Sequence, residues 1–423
     1  MTDKLIGEFE QSVSDLISLD NKTVHVALSG GLDSVVLLHL FNRLQVTKPN
    51  FKLKAHHIHH GLSVNGDSWA MFCASFCEQL KIDFQLTKVV LNKQSRTSLE
   101  ALARDKRYEA LKANFTSSDV LVTAHHQDDQ LETVLLALKR GAGLTGLQGI
   151  RGKQGLEKGY LVRPLLYFVR GQLEDYAQQF DLTWVEDESN QDQIFDRNFI
   201  RHSLTPLLKQ RWPSIGKTVA RSASLCQDQQ QLINEIAESD FETIKGDDLS
   251  TINLLKLERY SKVRQNNVLR YWFKKNRLAY PSVKQLQSIF RDVINASEHA
   301  TPQFDFSTKV IRRYQSSLYL LEKQVVEIPE SPLLWQGQTN LSFLSDDLIL
   351  FLNEKKTAGH CVEIYFRAHL PCQCSCQPIG RDKPRQIKKL LQEYNVPPWQ
   401  RDCIPFIFID GQLKHAWRVW ECA

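Results

Sequence analysis

Residues 29–34, Ser-Gly-Gly-Leu-Asp-Ser, constrain the fold of this chain more than any other segment. They follow a short, β-branched apolar run at residues 23–28, which is typical of a buried parallel strand. They precede a second apolar run at residues 35–41, which fits a helix packed on a sheet. This order of strand, glycine turn and helix predicts one unit of a doubly wound parallel sheet.

The glycine turn has the features of a phosphate-binding loop. Its glycines allow a close backbone approach to a ligand, and the N–H groups that begin the next helix point to the same place. Because a carboxylate repels phosphate, Asp33 is predicted either to bind the Mg²⁺ of a nucleotide or to cap the helix. A plain glycine turn with polar caps stays open as an alternative. The predicted ligand-binding residues are Ser29, Gly30, Gly31, Leu32, Asp33 and Ser34.

A second polar motif, residues 125–133, follows a predicted strand at 120–124 and opens another helix. The carboxyl ends of parallel strands meet at one edge of a sheet, so this motif is expected beside residues 29–34. Asp129 and its neighbouring carboxylate would suit Mg²⁺, and His125 would suit proton transfer or hydrogen bonding. A helix cap and a structural histidine are the alternative interpretation.

The alternation of strands and helices predicts an α/β fold: a doubly wound parallel sheet, then a helical domain and a small C-terminal α/β domain. Further strands are expected at 53–58 and 84–90, a connecting helix from 214, and a hairpin near 309–320. The predicted domains are 1–213 for catalysis, 214–323 for a mainly helical domain with its connector, and 324–423 for a linker and the C-terminal domain.

The net charge of +5 is unevenly distributed. Residues 256–284 hold nine lysines and arginines against one glutamate, a net charge of +8, interleaved with the aromatic residues Tyr260, Tyr271, Trp272 and Phe273. This composition suits a nucleic acid backbone with exposed bases. A solvated helix face with its aromatic side chains in the core would have the same composition. A second basic cluster contains Arg381, Lys383, Arg385, Lys388 and Lys389.

Nine cysteines, odd in number and unevenly spaced, indicate reduced thiols and a cytoplasmic location. Neither a secretory signal nor an apolar run of about 18 residues is present, so no membrane association is expected. The alternating histidines at 56–60 would lie on one side of a predicted strand, either as metal ligands or as ordinary strand residues. The cysteines Cys372, Cys374 and Cys376 lack the usual spacing of zinc ligands.

The hexapeptide at 29–34 resembles the signature of the N-type ATP pyrophosphatases, or PP-loop enzymes. This resemblance implies cleavage of ATP between its α and β phosphates and activation of a substrate oxygen by the AMP half. Most of the chain further resembles the tRNA(Ile)-lysidine synthetase family, except at the cysteine cluster. The matching positions are 29–34, 55–62, 100–104, 107–108, 125–133, 141–143, 146–147, 149–150, 163–166, 187–190, 197–201, 388–393, 397–399, 401–402 and 405.

The resemblance implies that L-lysine is joined to C2 of the wobble cytidine of tRNA(Ile) through an adenylated cytidine, so that the tRNA reads AUA. It implies ATP and Mg²⁺, with the metal near Asp33 and Asp129. His125 or a carboxylate would remove a proton, and Arg104 and Arg201 would neutralise phosphate charge. The glycine-rich segment 141–149 is expected to cover the site or to be a passive turn. A homodimer is possible.

Three other functions remain open at this point. One is a PP-loop tRNA thiolase. Thiolases of this kind that hold an iron–sulfur cluster resemble one another in having Cys-x-x-Cys, and this chain lacks that motif. Amidating synthetases share the hexapeptide but do not explain the basic second half. A tRNA-binding protein without catalysis would be expected to lose its acidic residues, which are present here.

Overall fold

The computed structural model describes residues 2–61, 63–90, 99–113, 115–297, 300–323, 328–337, 344–371 and 374–423. Leu62, Cys372 and parts of the predicted linker lie outside the described residues. The chain forms two compact units, Met1–Ile233 and Asn234–Ala423, and the boundary falls inside a long helix that was predicted as a connector. The three predicted domains and their limits stay a prediction.

The first unit contains the predicted parallel sheet. Its strand order is β3-β2-β1-β4-β6-β5, and every pairing is parallel except that of β5 with β6. The elements are α1 (Thr2–Leu16), β1 (Thr23–Ala27), α2 (Leu32–Thr47), β2 (Lys52–His59), α3 (Gly66–Gln79), β3 (Asp83–Lys88), α4 (Leu99–Lys112), β4 (Asp119–Val122), α5 (Gln127–Lys139), α6 (Leu144–Leu147), β5 (Lys153–Gly155), β6 (Tyr160–Val162), α7 (Arg170–Gln179), a 3₁₀ turn Glu188–Gln191, α8 (Asp196–Phe199), a π-helical turn Ile200–Leu204, α9 (Thr205–Arg211) and α10 (Ile215–Ile244).

This topology confirms the predicted fold class and places the two polar motifs. Strands β2 and β3 lie on one side of β1, and β4 and β6 lie on the other, so the winding reverses between β1 and β4. Ligands of doubly wound sheets bind at the carboxyl ends of the strands where the order reverses. Residues 29–34 follow β1 and residues 125–133 follow β4, so both lie at that position.

The second unit combines helices with antiparallel sheets. One sheet has the order β7-β10-β9-β8 and includes the predicted hairpin; another has the order β11-β12-β15-β16-β17. The elements are β7 (Thr251–Asn253), α11 (Leu254–Leu257), α12 (Lys262–Lys275), α13 (Val283–Ser288), a π-helical turn Ile289–Ile294, β8 (Gln303–Phe306), β9 (Lys309–Tyr314), β10 (Ser317–Glu322), β11 (Leu333–Leu334), α14 (Asp346–Thr357), β12 (Val362–Tyr365), a 3₁₀ turn Arg367–His369, β13 (Ser375–Cys376), β14 (Arg385–Gln386), α15 (Ile387–Glu393), α16 (Pro398–Arg401), β15 (Phe406–Ile409), β16 (Gln412–Ala416) and β17 (Trp420–Glu421).

Two aromatic residues of the basic segment belong to the core. Trp272 and Phe273 are fully buried in α12, and the indole N–H of Trp272 donates to the carbonyl oxygen of Leu249 at 2.8 Å. Lys274 and Arg277 nearby are exposed, and the Tyr280 side chain is 49% exposed. The segment therefore presents a charged surface, on which Trp272 and Phe273 are not available for stacking.

The prediction that all cysteines are reduced is wrong for one pair. Cys376 and Cys422 form a disulfide that joins β13 to the end of the chain across 46 residues of sequence. Spacing alone did not reveal the pair, because Cys422 reaches this segment only in the folded chain, where it forms an isolated antiparallel bridge with Pro378. Burial raises the pKa of the Cys73 and Cys77 thiols to about 12, so these two residues act as core side chains.

The histidines at 56–60 have partners other than a metal. His57 contacts the carbonyl oxygen of Leu28 through Nδ1 at 2.8 Å, and His56 contacts the hydroxyl of Thr87 at 2.9 Å. Within the described ranges, no group of three or more histidine, cysteine or acidic side chains is arranged to hold a metal ion. None of the helices described there is long and apolar enough to span a bilayer.

Candidate active site

The loop after β1 is closed by its two serines. The backbone N–H of Ser29 donates to Oγ of Ser34 at 3.2 Å, the two hydroxyls lie 3.0 Å apart, and Ser34 Oγ donates to the carbonyl oxygen of Gly31 at 2.9 Å. Helix α2 starts at Leu32 with no side-chain cap at Gly31. An uncapped helix start offers its N–H groups to an anion, as the phosphate-loop prediction requires.

The two glycines of this loop have different roles. Gly30 has a φ of +89°, and a Cβ there would lie 2.8 Å from Cγ2 of Val185. Gly31 has a φ of −74°, and a Cβ there would make ordinary contacts at 3.7 Å and beyond. Gly30 is therefore needed for the fold, whereas Gly31 leaves space beside the start of α2.

The two alanine variants of these glycines should separate folding from ligand binding. Gly30→Ala is expected to destabilise the protein by about 1–2 kcal/mol from the left-handed backbone alone. Gly31→Ala is expected to keep the thermal midpoint but weaken ATP binding about tenfold or more, since overpacking by a methyl costs about 1–3 kcal/mol. Thermal unfolding of the two variants checks the predicted stabilities, and calorimetric titration with ATP checks the predicted affinities. Normal ATP affinity in Gly31→Ala would contradict a phosphate at this position.

His126 joins the two polar motifs. His126 caps α5. Its ring Nδ1 accepts a hydrogen bond from the backbone N–H of Asp128 at 3.2 Å, and its backbone N–H donates to Oδ2 of Asp129 at 3.0 Å. Its Nε2 lies 3.6 Å from Oδ2 of Asp33 and 3.6 Å from Oδ2 of Asp129. The structure therefore brings Asp33 and Asp129 to the same nitrogen of one buried imidazole. The histidine predicted from the sequence was His125.

The charges around His126 are coupled. Burial alone would lower the pKa of His126, but the contact with Asp33 and the negative charge of Asp129 raise it above its ordinary value. Burial would raise the pKa of Asp129, but the imidazole of His126 and the positive charge of Arg197 hold it well below the usual range. Asp129 is therefore ionised at neutral pH.

Asp33 has the coordination capacity that a cation needs. Its Oδ1 is buried and has no hydrogen-bond partner among the described residues. Both oxygens of Asp129 are already in use, Oδ2 by the N–H of His126 and Oδ1 by Arg201 at 3.1 Å. Asp33 therefore fits a Mg²⁺ ligand, while Asp129 fits one only when Arg201 moves away. A Mg²⁺ held by one or two carboxylates and substrate phosphates is common in nucleotide sites.

Glu132, inside the second motif but not singled out by sequence, is the anchor of a buried ion network. Its carboxylate, fully buried, accepts from Nε of Arg201 at 2.7 Å and from Nε of Arg197 at 2.9 Å. Arg201 also donates to Asp129, and Glu132 and Asp129 raise the pKa of Arg201 against the effect of burial. Arg201 thus faces these carboxylates, and the π-helical turn at Ile200–Leu204 presents it.

His125 and Arg104 lie near the same edge of the sheet. Burial lowers the pKa of His125, and the positive charges of Arg163 and Arg104 lower it further. His125 is therefore a neutral imidazole at neutral pH, with Nδ1 2.9 Å from the hydroxyl of Thr123. Arg104 is exposed on α4, with its guanidinium 5.4 Å from the Tyr108 ring centre.

The glycine-rich segment 141–149 is held by side chains at its far end. Gln130 accepts from the N–H of Ile150 at 2.6 Å and donates to its carbonyl oxygen at 3.1 Å. Gln227 donates to the carbonyl oxygen of Gln148 at 2.7 Å. A Cβ at Gly149 would lie 2.5 Å from Oε1 of Gln130, so glycine is required there. These contacts fix the end of the segment against α5.

The sheet and its two edge motifs define a PP-loop protein. Three family models match the chain: a PP-loop domain at residues 1–208, the TilS substrate binding domain at 253–319, and the TilS substrate C-terminal domain at 363–423. The tRNA(Ile)-lysidine synthase of Haemophilus influenzae (strain 86-028NP) is 42% identical over 416 residues, which cover 92% of this chain and 93% of that protein. That of Coxiella burnetii (strain RSA 493 / Nine Mile phase I) is 38% identical over 400 residues, covering 93% and 88%.

The chain therefore belongs to the tRNA(Ile)-lysidine synthase family, and it is an enzyme. Among solved structures, the U34-tRNA thiolase NcsA from Methanococcus maripaludis has a TM-score of 0.46 and 17% identity, covering 53% of this chain and 78% of that one. The family assignment does not depend on that weaker likeness.

Proposed function

We propose that this enzyme ligates free L-lysine to C2 of the wobble cytidine of tRNA(Ile) with a CAU anticodon, using ATP. The products are lysidine, AMP and pyrophosphate, and the modified tRNA reads AUA as isoleucine. The relationship to tRNA(Ile)-lysidine synthases over 92% of the chain supports this. The observation that carries it is the placement of Asp33 and Asp129 on one imidazole beside the phosphate loop.

In the first step, the C2 oxygen of cytidine attacks the α-phosphorus of ATP and pyrophosphate leaves. The hydroxyls of Ser29 and Ser34 and the first N–H groups of α2 would bind phosphate oxygens. Asp33, and Asp129 after release of Arg201, would hold Mg²⁺, which neutralises triphosphate charge when bound. Arg201 would then turn from carboxylates to phosphate, and Arg104 would approach from α4.

In the second step, the neutral ε-amine of lysine attacks C2, the bond from C2 to the adenylate oxygen breaks, and AMP leaves. The amine nitrogen must also lose a proton. We assign this proton to a carboxylate or to His125, whose neutral imidazole has an available lone pair.

The rest of the chain supplies positive surface for tRNA. Lys274 and Arg277 are exposed in the second unit, and Lys383 and Lys388 are exposed in the second basic cluster. Such residues bind phosphates irrespective of sequence. A wobble cytidine is unpaired, so its base can enter a pocket at modest cost. We further propose a cytoplasmic location, where tRNA and ATP are found, and a homodimer as one possible assembly.

Lysine incorporation tests the proposed function. Purified protein with ATP, Mg²⁺ and unmodified tRNA(Ile) is expected to attach radiolabelled lysine to the tRNA, one per molecule, with equimolar pyrophosphate. The control is a tRNA in which uridine replaces the wobble cytidine. This tRNA should accept no lysine, because uridine presents a C4 carbonyl to the pocket where cytidine presents an amino group. Absence of lysine together with efficient thiolation of tRNA would contradict the proposal.

A further inference from the structure

A cavity of about 260 Å³ lies within the second unit and contains none of the residues of the site described above. It is formed where strands β8 and β9 meet the start of α16. Its walls combine donors with flat apolar surfaces: Thr301, Pro302, Gln303, Arg312, Pro398 and Trp399. None of the described residues that form these walls is acidic.

The sheet register explains why polar side chains line this cavity. Arg312 in β9 is directly opposite Gln303 in β8 and Tyr319 in β10, so the three side chains lie in one row on the same face. The next row, which includes Ile311 and Leu320, is buried in the hydrophobic core of the unit. The fold therefore directs the row of Arg312 away from that core.

Trp399 is held firmly over this row. The Arg312 guanidinium lies 5.5 Å from its ring centre. The rings of Tyr319 and Tyr314 approach it edge-on, with centres 5.3 and 6.1 Å away. An indole fixed on three sides forms a rigid surface for stacking, with little side-chain entropy left to lose on binding.

Two donors in the cavity walls have no acceptor. Arg312 Nε and Trp399 Nε1 are buried and have no hydrogen-bond partner in the part of the chain that the structure describes. Within the same ranges, Arg312 has no ion pair with a carboxylate, and its contact is with the Trp399 ring. A buried N–H donor without an acceptor is costly, and an anionic ligand that accepts from it would remove that cost.

We propose that this cavity binds one nucleotide of the RNA substrate. The phosphate is bound by Arg312, with Gln303 and Thr301 as further donors, and the base stacks against Trp399 or Pro398. Arginine stacked on an aromatic ring is a common element of RNA contacts that do not depend on base identity. The proposal depends on the proposed function only in taking tRNA as the ligand.

Filter binding of unmodified full-length tRNA to the full chain, over a series of KCl concentrations, tests the site. Arg312→Gln is expected to raise Kd about tenfold and to reduce the salt slope by about 0.9, the share of one phosphate contact. Arg291→Gln is the matched control, because it removes the same charge from an exposed arginine paired with Asp292. Its Kd is expected to stay within twofold or so of the wild type.

Trp399→Phe keeps a ring and removes the indole N–H, and it is expected to raise Kd about threefold. Equal tRNA affinity for Arg312→Gln and Arg291→Gln would overturn the proposal. If Arg312→Gln lowers the thermal midpoint, the tRNA affinity of Trp399→Phe becomes the deciding measurement. A tRNA affinity of Trp399→Phe equal to that of the wild type would also overturn the proposal. Failure of lysine incorporation by wild-type protein that binds tRNA would instead contradict the proposed function alone.

Discussion

Replacing Asp33 by asparagine is expected to slow pyrophosphate release by about 10³-fold, the scale on which charge-stabilising groups at phosphates act. Asp33 stands in the first turn of α2, where it can reach a triphosphate bound by the loop. Its buried Oδ1 lacks a partner among the described residues, so it is available to a cation. Asparagine preserves the shape but removes the negative charge. Quench-flow measurement of pyrophosphate at saturating ATP and tRNA checks the prediction.

The tRNA affinity of Asp33→Asn should stay within about twofold of the wild type, because removing a carboxylate does not weaken contacts to the phosphate backbone. Asp83→Asn is the control: it removes a carboxylate from an exposed position at the start of β3 and should leave both readouts unchanged. A parallel loss of pyrophosphate release and tRNA binding would mean that Asp33 stabilises the fold. A titration with Mg²⁺ should also show a higher requirement in Asp33→Asn.

The meeting of the two polar motifs was predictable from local pattern. Strand β1 and strand β4 each end in a polar turn followed by a helix, and parallel strands place such turns at one edge. The identity of the bridging residue was not predictable in the same way. His125 and His126 are adjacent, and only the backbone geometry of the α5 cap decides that His126 lies beside both Asp33 and Asp129.

Other features depend on contacts that are distant in sequence. Glu132 meets Arg197 and Arg201 across 65 and 69 residues, and no periodicity within α5 indicates these partners. The burial of Trp272 could not be told from stacking on RNA, because the same helical pattern serves a core face and a binding face. The cavity at Arg312 likewise depends on the pairing of β8, β9 and β10 with one another and on the position of α16 beside them.

Glu132→Gln is expected to lower the free energy of unfolding of the first unit by about 3–5 kcal/mol, the usual cost of breaking a buried ion pair. The fully buried carboxylate receives hydrogen bonds from two guanidinium groups, those of Arg197 and Arg201. Glutamine keeps the volume, but its NH₂ group faces an arginine donor, and Arg197 keeps only a 3.8 Å contact with Asp129. Denaturant unfolding, followed by hydrogen exchange of β1 and β4, measures the change.

Glu174→Gln provides the matched control. It removes a carboxylate from the Arg170–Glu174 pair, which is exposed on α7, and such surface pairs contribute about 0–1 kcal/mol. Equal destabilisation by the two glutamine variants would contradict a network held by burial. The double variant Glu132→Gln/Arg197→Gln should recover part of the loss, because it removes the weakly paired charge together with its former partner.

The same substitution also tests how the network serves the reaction. Without Glu132, the guanidinium of Arg201 retains only Asp129 as a described carboxylate partner, and its position beside the phosphate loop is less defined. At a temperature where Glu132→Gln is fully folded, kcat for pyrophosphate release should fall about 10²-fold, the effect of misplacing a group at the reacting centre. Unchanged kcat would show that the network supports the fold alone and that Arg201 has no part in binding phosphate.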